Sequence, residues 1–238
     1  MSSVLPSSFS KPNARKLFIP DPGYLIADVD LAGADAQVVA WEGNDEALKA
    51  IFREGRNLHS ENAKDLGIDR PLAKRWVHGT NYGGSAYAMA LSCGIQVRKS
   101  EELQERWFSV HPGIKDWHRR IDRDLQTTRT VRNPFGYERY YFDRIEGLLP
   151  QALAWIPQST VAVLTNLAWI ALDKHPWAEP LLQVHDSLIF QFPSSRRSQL
   201  KEIRDLITRP IPYPDPLIIP WGLKLSTKSW GDCQKAEW

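Results

Sequence analysis

The chain has 238 residues, of which 42% are hydrophobic and 24% charged, with a formal net charge of +2. Those proportions are ordinary for a soluble globular protein, and the length suits one large domain or two small subdomains sharing a core. Two cysteines, Cys93 and Cys233, without a CxxC pair argue against a zinc site or a disulfide framework and point to a reducing, intracellular compartment. So mild a charge permits a nucleic-acid partner without arguing for one, because a basic groove can sit inside a near-neutral total. Ten tryptophans are many, but Trp fills cores and interfaces as readily as it stacks on bases.

Residues 1–16 read as a loose leader rich in Ser, Pro and Lys/Arg, without the basic segment and apolar run of a signal peptide. The turn Pro20–Gly23 precedes Tyr24–Asp30 (YLIADVD), whose alternation predicts a strand. From Ala34 to Phe52 the apolar spacing predicts helix, broken near Gly43-Asn44-Asp45. Asp69 is a predicted N-cap, and Arg70-Pro71 opens a helix running to Gly83-Gly84. Glu101 to Leu125 is predicted helical, interrupted at His111-Pro112-Gly113. Val131 to Phe142 suggests a strand pair around Pro134-Phe135-Gly136. Ile156 to Asp173 is predicted to be a long, mostly buried helix. Its most apolar stretch, Val161 to Leu172, contains Thr165 and Asn166 and falls short of the ~20 residues of a membrane span, so a soluble protein is expected. Leu181 to Phe192 reads as two short strands meeting at His185-Asp186. A Pro-rich segment, Pro210 to Pro220, leads into a strand-like Trp221 to Leu225. The mixture predicts an α+β fold without repeats.

Three constellations carry candidate chemistry. Asp30 closes the first strand, with Asp35 five positions on. A carboxylate at a strand end can offer oxygen to a hard divalent cation, and it can equally cap the next helix. Gln183 to Phe190 places His185 and Asp186 between two strand-like flanks. Asp is common in turns for its own backbone hydrogen bonds, yet paired with Asp30 it could hold two metals about 3.5–4 Å apart for in-line phosphoryl transfer. Arg70, Lys74, His78 and Tyr82 recur every four residues and so form one helical stripe. Arg and Lys suit phosphate oxygens, and flat rings suit a sugar or base. The same spacing also describes a solvated face. Gly79, Gly83 and Gly84 sit oddly on such a face, because helical glycine costs about 1 kcal/mol; close approach of a template base would explain them.

In this order, these segments resemble motifs A, B and C of the DNA polymerase I family, family A. Asp30 to Asp35 followed by Ala36-Gln37-Val38-Val39-Ala40 is similar to motif A. Arg70, Lys74, His78, Gly79, Tyr82 and Gly83 hold the spacing of motif B. Val184-His185-Asp186-Ser187 is similar to motif C. Asn57-Leu58-His59, His111-Pro112-Gly113-Ile114 and Gln158-Ser159-Thr160 resemble linking segments, and the likeness runs from about Arg15 to Trp230. The chain departs from the family at Asp35 and Ser187, where the family has Glu, and at His78, where it has Phe or Tyr. Pro150 and Ala154 stand where polar DNA contacts belong.

The resemblance implies a right-hand palm with an antiparallel sheet, about 17–59 and 136–238, and a helical fingers insertion, about 60–135. It implies template-directed DNA synthesis with two Mg²⁺ ions, for which Mn²⁺ can substitute. Asp30 and Asp186 would be catalytic and bind metal. Arg70 and Lys74 would hold the dNTP triphosphate, with Lys74 also catalytic and His59 assisting. His78, Tyr82 and Asp35 would meet the incoming sugar, with Asp35 and His78 loosening selection against ribose. Gln158, His185 and Gly83 would touch the primer–template. The thumb and a proofreading exonuclease are expected to be absent, giving a weak grip on DNA and leaving room for a separate thumb or processivity protein. No membrane partner is expected, and the cytoplasm of a bacterial or phage-infected cell is the expected location. The alternatives are half of a split polymerase and a non-catalytic module that binds primer–template.

Overall fold

The computed structural model describes residues 13–142 and 144–238. Most of the predicted leader lies outside these residues. In chain order the elements are β1 (Tyr24–Leu31), α1 (Ala34–Glu42), α2 (Glu46–Arg53), α3 (Leu58–Leu66), α4 (Arg70–Asn81), α5 (Ala86–Cys93), α6 (Val97–Val110) and α7 (Pro112–Thr127). There follow β2 (Thr130–Arg132), β3 (Glu138–Tyr140), α8 (Leu149–Asp173), β4 (Glu179–Val184), β5 (Ser187–Pro193), α9 (Leu200–Ile207), β6 (Trp221–Ser226) and β7 (Gln234–Ala236). The chain forms two compact units. One takes the residues up to Ala32, Thr165–Thr208 and Pro220–Trp238; the other takes Gly33–Leu164 and Arg209–Ile219.

The first unit is built on a five-stranded sheet in the order β4-β5-β1-β6-β7, with every neighbouring pair antiparallel. β1 is central because it is the segment that can be buried on both faces: Ile26, Ala27 and Val29 are all fully buried. Asp28 is buried with them, and its Oδ2 accepts a 2.8 Å hydrogen bond from Trp230 Nε1, which offsets part of the cost of removing a carboxylate from water. Ile26, Ile189 and Trp230 form a core cluster with Leu182, Val184 and Cys233 against it. α9 lies outside the predicted elements, although Leu200, Ile203 and Ile207 hold helical spacing and are fully buried.

The second unit is mainly helical, with β2 and β3 as a separate hairpin. Its helices begin where the sequence supplies caps. Asp45 accepts from Leu48 N, Asn57 from Ser60 N, Asp69 from Leu72 N and Ser85 from Ala88 N, each cap being worth about 0.5–2 kcal/mol. Trp76, Trp107 and Trp117 are fully buried in it. Trp76 Nε1 donates to Ser100 Oγ and Trp107 Nε1 to Asn81 Oδ1. Trp76 and Trp107 are therefore core residues with satisfied ring nitrogens, whereas Trp117 Nε1 is buried without a hydrogen-bond partner among the described residues. The Pro-rich segment is anchored rather than loose: Ile211 pairs with Leu217, and Trp41 Nε1 donates to the Asp215 carbonyl at 2.8 Å.

α8 corrects the sequence reading twice. It starts at Leu149, seven residues before the predicted start, and runs through Pro157. A proline inside a helix costs ~3 kcal/mol, so sequence alone stops there. Burial of Ala152, Leu153 and Ile156 on the preceding turns offsets that cost. At 25 residues α8 is also long and apolar enough to cross a membrane by length and composition, and only 44% of its most apolar window is buried, with Leu167 and Ile170 exposed. It is thus neither too short for a span nor mostly buried. Its buried row of Leu153, Ile156, Thr160, Leu164, Ala168 and Leu172 repeats every three to four residues, as a core helix does.

The break between α1 and α2 is held against the start of α7. His111 Nδ1 lies 3.1 Å from Asp45 Oδ1, both groups buried. A Cβ on Gly113 would stand 2.1 Å from the Gly43 carbonyl oxygen, and backbone on both sides leaves no flexible group to yield. Gly113→Ala should therefore cost at least about 2–3 kcal/mol, the upper part of the usual overpacking range. Equilibrium urea unfolding checks this, and a loss below about 0.5 kcal/mol, within the range of ordinary surface substitutions, would contradict it.

Candidate active site

Strand pairing decides where the acidic residues meet. In the antiparallel register Asp30 lies opposite Ser187 on β5 and opposite Gly222 on β6. Leu31 N donates to the Asp186 carbonyl at 3.2 Å. Asp30 and Asp186 are therefore brought together at the end of the same strand pair. Asp186 sits in the two-residue connection between β4 and β5, after His185, whose φ of 54° is left-handed. A non-glycine residue there is strained by about 1–2 kcal/mol, so the turn is fixed by the strands on either side of it.

A third charge completes this cluster. Lys224 Nζ lies 3.1 Å from Asp30 Oδ1, with side-chain exposures of 34% and 39%. Nothing in the sequence signalled this pair except that β6 carries one lysine in an apolar strand. A Cβ on Gly222 would approach Asp30 Oδ1 to 3.1 Å, so glycine keeps space open beside that oxygen. Among the described residues no group of three or more His, Cys, Asp or Glu is placed to hold a metal. The donors present are two carboxylates, which suits Mg²⁺: it keeps waters and takes one or two carboxylates plus substrate phosphates.

In the helical unit α4 presents the predicted stripe. Arg70, Lys74 and His78 are exposed, and neither Arg70 nor Lys74 has an acidic partner among the described residues. Tyr82 caps the helix C-terminus, stacks edge-on with His78 at 4.7 Å between ring centres, and donates from its hydroxyl to Asp35 Oδ2 at 2.8 Å. Burial first, and the Asp35 charge second, push the Tyr82 phenol above its ordinary range. The shorter Asp35 thus still reaches a partner. A cavity of about 50 Å³ lies beside it, lined by Asp35, His59, Asn62, Lys74, His78 and Tyr82 among others. That is far below the roughly 300–1,000 Å³ of a ligand pocket, so a nucleotide would not lie within it.

The glycines of this region have an internal reason. A Cβ on Gly79 would stand 2.4 Å from Met89 Sδ, and one on Gly84 would stand 2.8 Å from the Gly79 carbonyl oxygen. The end of α4 packs against α5 at a distance only glycine allows, with no template base required. Gly83 has φ +77°, and a Cβ there would meet Leu153 Cδ1 at 3.0 Å. Gln158 is exposed on α8 and His185 is exposed at its hairpin.

His59, on α3, is near enough to the stripe to feel it. Burial lowers its pKa, and the charges of Lys74, Arg70 and His78 lower it further. The unfolded chain binds that proton more readily, so His59 subtracts stability as pH falls below about 6.5. Lys74→Met should raise the His59 titration midpoint, measured by NMR of the ring protons, without restoring the ordinary value, because burial is the larger cause. An unmoved midpoint would show that Lys74 does not face His59.

Comparison with known proteins bears on both units. The sequence pattern of DNA polymerase family A matches residues 6–228. The thermostable DNA polymerase I of Thermus filiformis is 32% identical over 232 residues, covering 88% of this chain and 28% of that protein. A DNA polymerase of Mycobacterium phage D29 is 25% identical over 234 residues, covering 94% of this chain and 38% of its own length. The fold is similar to the POL domain of Pol1 from M. smegmatis, solved with DNA primer-template and dNTP, at a TM-score of 0.81 and 23% identity over 91% of this chain and 42% of that one. The chain therefore spans well under half the length of these relatives. With a family match across nearly all of its residues and a mixed fold of helices and antiparallel sheet, the chain belongs to DNA polymerase family A.

Proposed function

We propose that this chain performs template-directed DNA synthesis, transferring a nucleotide from a dNTP to a primer 3′-hydroxyl. The observation that carries the reading is the meeting of Asp30 and Asp186 at adjoining strand ends in a chain of this family. In the sheet unit, Asp30 and Asp186 offer hard oxygen donors, and Gly222 leaves room beside one of them. Divalent cations, Mg²⁺ or in its place Mn²⁺, would there neutralise triphosphate charge and make the primer hydroxyl a better nucleophile. His185, exposed at the β4–β5 turn, would touch the primer–template. In the helical unit, Arg70 and Lys74 are charges without acidic partners among the described residues, suited to triphosphate oxygens, and His59, whose pKa burial and those charges lower, offers a hydrogen-bonding ring beside them. Tyr82 and His78 offer ring faces to the sugar, while Gln158 and Gly83 face the primer–template. The palm assignment covers about 17–59 and 136–238 and the fingers about 60–135. The bacterial and phage relatives support a cytoplasmic setting. A separate thumb or processivity protein would add to the grip on duplex DNA.

Two observations favour a second reading, a non-catalytic module that binds primer–template: Asp30 is held by Lys224, and Ser187 stands where the family has Glu. The two readings separate on one experiment. Asp30→Asn and Asp186→Asn should each lower primer extension by on the order of 10²–10³-fold, the rate equivalent of several kcal/mol of lost charge stabilisation, while DNA binding by anisotropy stays largely intact. Extension at near wild-type rate in either variant would remove the catalytic assignment.

Sugar selection rests on the Tyr82–Asp35 bond. Because Asp35 reaches the Tyr82 hydroxyl at 2.8 Å, that pair sets where the ring stops. Asp35→Glu adds one methylene and should shift the ratio of deoxynucleotide to ribonucleotide incorporation by roughly 10-fold or more, the discrimination one methylene carries. An unchanged ratio would show that Asp35 is not the gate.

A further inference from the structure

Resting on that reading, we infer that Lys224 is a built-in competitor for divalent cations at Asp30, a positioning residue that keeps the carboxylate pair weakly cation-binding until a polyphosphate arrives. Its Nζ is 3.1 Å from Asp30 Oδ1, the oxygen beside which Gly222 leaves space. A cation that takes this oxygen must displace the ammonium. The register explains why the lysine reaches: Lys224 lies opposite Asp28 on the neighbouring strand, and Asp28 and Asp30 share one face of β1 because side chains alternate. Asp28 is buried and bonded through Oδ2 to Trp230 Nε1. Asp28 Oδ1 is left without a hydrogen-bond partner among the described residues, and Lys224 reaches past it to the partly exposed Asp30.

The local charge balance gives this pair its consequence. Asp30 and Asp186 carry two negative charges and Asp28 is a further carboxylate buried on the face of Asp30, so Lys224 lowers the net negative charge available to two dications by one. Ser187, paired across from Asp30, adds none. Such a cluster attracts free cations poorly at protein-surface dielectric. A cation accompanied by phosphates brings its own compensating charge, so metal entry becomes coupled to nucleotide arrival. The released ammonium carries no proton in this step and changes only its partner.

Mn²⁺ binding to the purified chain, read by EPR of the free ion without DNA or nucleotide, tests this directly. Lys224→Met should tighten Mn²⁺ binding about five- to tenfold, from the loss of one nearby positive charge, and Ser187→Glu should tighten it in the same direction. Lys224→Arg should bind as weakly as wild type, because the charge is kept. Urea unfolding of each variant verifies that it is folded. If Lys224→Met binds within twofold of wild type while Asp30→Asn weakens binding, Lys224 is not a competitor and the inference fails. Tightening in Lys224→Arg equal to that in Lys224→Met would also overturn it, since charge would not be the cause. If Asp30→Asn binds Mn²⁺ as wild type does, the metal assignment of Asp30 itself fails, which is a separate outcome.

Discussion

The antiparallel pairing of β1 with β5 on one side and β6 on the other fixes where three charges meet. Asp30 belongs to β1, Asp186 precedes β5 and Lys224 lies in β6, and they are far apart in sequence. A shift of one residue in either register would send the side chains to the opposite face. The burial of Ile26, Ala27 and Val29 opposes any such slip, because it would exchange the two packed faces of β1 and break the buried Asp28–Trp230 hydrogen bond. The core of the sheet unit and its candidate chemistry are thus one constraint: apolar residues hold the register, and the register brings the backbone of Asp186 beside the end of β1 that carries Asp30.

The helical unit works by a different device. Its stripe of Arg70, Lys74 and His78 stays exposed because the opposite face of α4 is occupied by Ala73, Trp76 and Val77, all buried. Tyr82 and Asp35 hold each other at the end of the stripe. Glycines let α5 come close to the end of α4, which fixes the position of Tyr82 without help from any ligand. Arg70 and Lys74 lack acidic partners, so their charges remain available to an anion. This availability is the electrostatic feature most in keeping with a polyphosphate substrate.

Much of this was legible in the sequence wherever a local signal exists. Asp69 capping α4, the break at Gly43-Asn44-Asp45 and the turn at His185-Asp186 all appear as punctuation in the chain, and the structure has them. The family resemblance placed Asp30, Asp186 and the α4 stripe in their motifs. What stayed hidden depends on tertiary contact. α8 passes through Pro157 because its neighbouring turns are buried. α5 has no helical periodicity, since Ala86–Cys93 carries apolar residues all round, with Tyr87 and Leu91 exposed. α3 is largely polar, though Asn57 and Gly67 mark its two ends. The Lys224–Asp30 pair needs the register of two strands nearly two hundred positions apart, which no local pattern encodes. The glycines near Tyr82 pointed to a close approach, and that approach is made by Met89 and α5 rather than by a base.

The central claim is that this chain chooses and joins nucleotides on a template. Single-nucleotide addition to a primed template by the purified chain with Mg²⁺, offering one dNTP at a time, tests it most directly. Only the nucleotide complementary to the next template base should be added, and chelation of the metal should stop it. DNA binding without addition of any nucleotide, across Mg²⁺ and Mn²⁺ concentrations, would contradict the account and leave a primer–template binding module in its place.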